Sequence, residues 1–254
     1  MATQQYYFDM DANGFPLLTE HNIEFIKALV ENDPDYRQPI DNDYKIILSN
    51  HFPNEDKEIL NIVKLIDKAD STHLASEGSK FKGANEGREI TAKAICKITD
   101  LKNKINDGDT EIIDIIANAV NEEHKRQGKE SGKYNFSFAT KFCAYVSLYS
   151  LKQDNYCIYD KVVSEILPYY LYTYLGEKHY RIKRDGTAVS TISEIFKSGS
   201  SYLDYRQLID RLIESVYKKH NYLPSYKEID GLLWYYFKGE NSRIVKAMET
   251  LKKS

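Results

Sequence analysis

Apolar residues recur at helical spacing along most of the chain. Ile90, Ala94, Ile98, Leu101 and Ile105 fall three or four positions apart, and Ile112, Ile113, Ile116 and Val120 repeat the pattern. Such a stripe marks one buried face of a 3.6-residue period. The full pattern predicts about ten helices with short connections. One spans 20–31 after a Thr19 cap, and another spans 53–69, opened by Pro53 with Glu55 and Asp56 in its first turn. Others are expected at 137–151, at 161–175 with Pro168 inside, and at 203–219, 225–237 and 240–252. Ser225 and Glu228 have capping-box spacing at the start of the 225 helix. No internal repeat or low-complexity segment interrupts the series.

Composition agrees with a helical reading. Only 12 Gly and 6 Pro in 254 residues leave little sequence for turns between many short strands. A chain of this length can bury a sizeable core, as one large domain or as two small lobes sharing a cleft. No apolar run approaches the ~20 residues of a membrane span. The N-terminal MATQQYYFDMDANG lacks the basic and apolar regions of a signal peptide. Cys96, Cys143 and Cys157 are odd in number and show no CxxC spacing, so the expected setting is reduced and cytoplasmic, without disulfide or zinc.

A net charge of −3 gives no global attraction to nucleic acid. Any such contact must come from local patches. Residues 71–88 carry Lys80, Lys82 and Arg88, and residues 121–135 carry Lys125, Arg126, Lys129 and Lys133. A third basic run, His179 to Arg184, precedes a turn signal at Asp185-Gly186. The second patch leads directly into the segment with the most pointed chemistry.

That segment, residues 139–163, reads ATKFCAYVSLYSLKQDNYCIYDKVV. Lys141 stands at the start of an apolar helical stretch, and Asp160 follows nineteen residues later, ahead of the next expected helix. A helix from Lys141 to Leu151 runs ~15 Å at ~1.5 Å per residue. The eight residues after it reach up to ~26 Å, enough to bring the chain back beside the lysine. Lys141 falls in a first helical turn if Ser137 is the cap. There the helix dipole disfavours an ammonium ion, and burial near Phe138, Phe142 and Tyr145 works in the same direction. An amine so placed is a candidate nucleophile, with Asp160 as its partner carboxylate.

Ala139-Thr140-Lys141 and Tyr159-Asp160 resemble, at the same separation, the Gly-Thr-Lys and Val-Asp-x-His motifs of the 8-oxoguanine DNA glycosylase branch of the helix-hairpin-helix superfamily. Leu148 and Leu151 fall where that family also has apolar residues. The resemblance covers about 25 residues closely. Phe136-Ser137-Phe138-Ala139 replaces the family's Pro-Gly-x-Gly hairpin, Val162 replaces its histidine, and the length leaves no room for its N-terminal β-domain. The resemblance implies an all-α, two-lobed helix-hairpin-helix glycosylase-like fold with a cleft. Residues 1–85 and 176–254 would build one lobe and 86–175 the other. It further implies a monomer acting on double-stranded DNA without a cofactor. A base would be flipped out and excised through a Schiff base on Lys141, with accompanying AP-lyase chemistry. Tyr145 and Trp234 are candidates for lining the base pocket. The substrate would be an oxidised purine or a bulky modified base such as a glucosylated phage cytosine, the latter implying antiviral defence rather than repair. The alternative is a DNA-binding or interaction module that keeps the fold without the chemistry.

One further motif competes. Asp9, Asp11, Asn13, Gly14 and Glu20 match the spacing of a calcium-binding loop, although Asn13-Gly14 also reads as a tight turn before the first helix.

Overall fold

A computed structural model describes residues 7–32, 44, 47–49, 51–69, 72–74, 86–128, 134–196 and 202–252. The described chain is mostly helical. Its helices are α1 (Glu20–Asn32), α2 (Asp56–Ala69), α3 (Glu86–Cys96), α4 (Leu101–Asn106), α5 (Glu111–Arg126) and α6 (Phe136–Tyr145). The last of these runs into a π-helical turn, Val146–Leu151. After it come α7 (Lys161–Leu175), an antiparallel hairpin of β1 (Tyr180–Ile182) and β2 (Ala188–Ser190), α8 (Tyr202–His220), α9 (Tyr226–Phe237) and α10 (Asn241–Thr250). None of the described helices is long and apolar enough to cross a membrane.

The chain divides into two compact units, Pro39–Tyr159 and Met1–Gln38 with Asp160–Ser254. The boundaries lie at 38/39 and 159/160, whereas the sequence reading placed them at 85/86 and 175/176. Packing explains the difference. Within the first unit α2 packs against α3 and α6, which joins residues 56–69 to the middle of the chain. Within the second, α7 packs against α8, α9, α10 and β2, which joins residues 161–175 to the C-terminal helices.

In the Pro39–Tyr159 unit the apolar stripes meet as their spacing requires. Ile59, Ile62, Val63 and Ile66 of α2, Ile112, Ile113, Ile116 and Val120 of α5, and Phe138 and Phe142 of α6 are all buried. Each such side chain contributes about 1.5–3 kcal/mol by leaving water. The stripe from Ile90 to Ile105 is broken, however, between α3 and α4. Asp100 sits there in the left-handed region at φ 58°, a conformation that Asp accepts more readily than most residues.

In the other unit α7 is the central element, and its interior proline is accommodated by the hairpin. Pro168 has no N–H to give the Ser164 carbonyl one turn earlier. Ser190 on β2 supplies the missing donor, its Oγ bonding that carbonyl at 2.6 Å. The hairpin itself is absent from the sequence reading, although its Asp185-Gly186 turn is the one anticipated there. Ser225 and Glu228 form the expected capping box on α9.

Candidate functional site

The segment around Lys141 is built by the packing of α5 and α6. After α5 the chain returns through Tyr134 and Asn135. The Asn135 N–H bonds the Ala117 carbonyl at 2.9 Å, and the Tyr134 hydroxyl donates to Asp114. Helix α6 therefore starts at Phe136 with Asn135 as its cap residue, two residues earlier than a Ser137 cap would give. Lys141 is its sixth residue, in the second turn. The first-turn dipole argument does not carry over, because that field fades within one turn. Lys141 is buried all the same, with 5% of its surface exposed. Lysine is among the side chains least often buried to this degree.

Beyond Tyr145 the helix widens into the π turn, and Lys152 closes it in a left-handed conformation at φ 59°. Insertions of this kind recur at functional sites. From there the chain returns along a pinned path. The Ser147 Oγ donates to the Gln153 carbonyl at 3.0 Å, and the Gln153 N–H bonds the Ser147 carbonyl at 3.1 Å. The Asn155 amide donates to the Asn106 carbonyl at 2.7 Å, and the Tyr156 hydroxyl reaches the carbonyls of Lys104 and Asp109, each at 3.2 Å. The path ends where the Tyr159 N–H donates to Thr140 Oγ1 at 3.1 Å, across a separation of 19 residues. The two residues so joined immediately precede Lys141 and Asp160. Phe136 and Tyr159 brace the same point edge to face, with ring centroids 5.3 Å apart. Thr140 and Tyr159 belong to the Pro39–Tyr159 unit, and Asp160 opens the other.

Asp160 is half-buried and caps α7, its Oδ1 accepting the Val162 N–H at 2.7 Å. Lys141 and Asp160 thus fall in different units.

The remaining sequence candidates have varied fates. Arg88 is committed to structure: its Nε meets Asp67 at 2.7 Å, and that nearly inaccessible carboxylate also accepts the Thr72 hydroxyl at 2.8 Å and the Leu74 N–H at 2.6 Å. Lys125 and Arg126 lie exposed at the end of α5, paired with Glu122 and Glu123 at 2.8 and 2.6 Å. Lys80, Lys82, Lys129 and Lys133 lie outside the described residues. Tyr145 packs into an aromatic cluster with Tyr44 and Tyr149, ring centroids 4.4 and 6.2 Å away. Trp234, in the other unit, carries the Lys238 ammonium over one face at 3.5 Å from the ring centroid. Sequence reasoning did not single out Thr140 or Tyr159 as a bonded pair. A hydroxyl that accepts from a distant peptide leaves no periodic trace.

The loop with calcium-like spacing is a turn held by its own side chains. Asp11 accepts the N–H groups of Asn13 and Phe15 at 2.8 and 3.0 Å and also the Tyr169 hydroxyl. Asp9 accepts the Thr19 hydroxyl at 3.2 Å, and the buried Asn22 amide ties the Asp9 and Leu17 carbonyls at 2.8 and 2.7 Å. Glu20 stands exposed at the start of α1. Among the described residues no three His, Cys, Asp or Glu side chains gather as metal ligands.

Comparison with protein-family models gives a match to HI_0787_N, an N-terminal domain, over residues 22–154. The matched range includes Lys141 and the Asn155-preceding part of the return path, and it ends before Asp160. No curated protein and no solved structure matches the chain.

Proposed function

The chain belongs to the HI_0787_N family, and we propose that this member is a DNA N-glycosylase with AP-lyase activity, of helix-hairpin-helix type. What supports the reading is one observation: the Tyr159-to-Thr140 hydrogen bond. It ties together the two motif segments whose nineteen-residue separation drew attention in the sequence. The burial of Lys141 adds to it, since a lysine kept from water needs a reason.

In the proposed reaction DNA presents a base turned out of the stack. The Lys141 amine forms a bond to C1′ as the glycosidic bond breaks, and that electron pair leaves with the base. The amine's proton passes to the departing base. Ring opening gives an imine between Lys141 and the sugar, and loss of the proton at C2′ then expels the 3′ phosphate. Lys125 and Arg126 are proposed phosphate contacts, because exposed ion pairs of this kind are worth only ~0–1 kcal/mol and exchange readily. Tyr145 is the proposed pocket ring. The substrate class is an oxidised purine or a glucosylated cytosine.

The test is base release from duplexes carrying 8-oxoguanine or glucosylated cytosine. Release from either, abolished in Lys141→Gln, supports the proposal. Tight DNA binding without release from any modified duplex would instead identify a binding module.

A further inference from the structure

We propose that the β1–β2 hairpin is a ribbon that contacts the phosphate backbone of duplex DNA through Lys183 and Arg184 at its turn. The inference rests on the glycosylase reading for its partner. It gives a role to the basic run His179 to Arg184, which the proposed reaction does not use.

The ribbon is tied at both ends. At the turn the Gly186 N–H bonds the Lys183 carbonyl at 2.9 Å, and the Lys183 N–H bonds the Thr187 carbonyl at 2.9 Å. Gly186 stands at φ 81°, the left-handed conformation that closes a three-residue hairpin loop. At the root the Thr191 N–H bonds the His179 carbonyl at 2.9 Å. The Tyr180 hydroxyl donates to the Leu251 carbonyl at 2.8 Å, and the Ser190 hydroxyl holds α7. Ala188 is buried near the root, while residues 181–185 are all exposed. The fold thus presents a braced strand pair with its turn in solvent.

The charge on that turn is uncompensated. Lys178, Arg181, Lys183 and Arg184 place four cations in seven residues. Arg181 is paired with Glu194 at 2.7 Å, and Glu177 already holds Arg211 and His179. Lys178, Lys183 and Arg184 have no salt bridge among the described residues. The turn's own carboxylate, Asp185, accepts the Thr187 N–H at 2.9 Å. Lys125 and Arg126, by contrast, must leave a glutamate of their own helix before they meet a phosphate. Strands paired about 4.8 Å apart are narrower than the ~12 Å major groove, which admits a two-stranded ribbon. A lipid surface fits less well, because it takes an apolar face as well as charge. Ile182 is the hairpin's one exposed large apolar side chain.

The experiment compares wild type with Lys183→Ala/Arg184→Ala and with the charge-keeping pair Lys183→Arg/Arg184→Lys, on the full chain. Affinity for an 8-oxoguanine, a glucosylated-cytosine and an unmodified duplex is read by fluorescence anisotropy over a salt series, together with base release. The alanine pair is expected to flatten the slope of log K against log salt by about 1.8 on every duplex, which is roughly 60-fold weaker binding at 0.1 M salt. The charge-keeping pair should retain the wild-type slope. A photo-crosslinker on Ile182→Cys should join the ribbon to DNA, with the labelled chain lacking that cysteine as control. An alanine pair with the wild-type slope and intact base release overturns the ribbon and leaves the glycosylase reading standing. Weaker binding of that pair to phosphatidylserine vesicles, with duplex affinity unchanged, overturns the ribbon as well. The expected slope change without base release from any modified duplex supports the ribbon and overturns the glycosylase reading. Wild-type protein that binds no duplex overturns both.

Discussion

At the scale of single residues, the described chain uses its buried charges in two ways. Asp67 is nearly inaccessible and is satisfied by Arg88, Thr72 and Leu74 together. Removing one partner from such a group costs more than the pair contributes, because the remaining charge stays out of water. Arg88→Ala should therefore lower the unfolding free energy by roughly 3 kcal/mol in urea titration. A loss below about 0.5 kcal/mol would mean that the pair behaves as an exposed one. Lys141 is the second case, a buried cation-forming group on which the proposed chemistry depends. Arg88 also shows where residue-level reading stops: a basic run in the sequence gives the charge but not the carboxylate that already holds it.

At the scale of elements, the helices follow from spacing and caps, and departures have local causes. The 225–237 helix, its capping box and the start of a helix just after Asp160 were legible, since each needs only a few neighbouring residues. The break between α3 and α4 was not, because Ile90 to Ile105 keep helical spacing across a left-handed Asp100. Nor was the hairpin, whose strands of three residues are too short for an alternating signal. Its role beside Pro168 gives a prediction. Ser190→Ala leaves the Ser164 carbonyl without its donor and should cost about 1–2 kcal/mol, read as a lower denaturation midpoint. An unchanged midpoint would show that the gap is filled otherwise. The end of α8 gives a pH dependence. Burial and the adjacent Lys219 charge hold the His220 imidazole below its ordinary value of 6.5, with Asp9 opposing them. The native state thus disfavours the protonated ring more than the unfolded chain does. Its stability is fully present above 6.5 and declines as pH falls through and below that value. Thermal unfolding between pH 7.5 and 5 should show that decline, reduced in His220→Gln. An identical pH profile in the variant would assign the decline to other groups.

At the scale of the whole molecule, net charge −3 makes any DNA affinity a local property. Each phosphate contact lowers the slope of log K against log salt by about 0.9 on duplex DNA. Lys125→Ala and Arg126→Ala should each remove about one such contact, visible by fluorescence anisotropy over a salt series. Slopes that match wild type would place the phosphate contacts elsewhere. The division at 159/160 was also beyond the sequence reading, because it follows from which helices α2 and α7 pack against rather than from composition. The central claim, that Lys141 is a nucleophile toward the sugar of a modified nucleotide, has one direct measurement. Borohydride added during reaction with an 8-oxoguanine or glucosylated-cytosine duplex should trap a covalent protein–DNA adduct, seen as a shifted band in wild type and lost in Lys141→Gln. Base release without any adduct, or an adduct that persists in Lys141→Gln, would contradict the account.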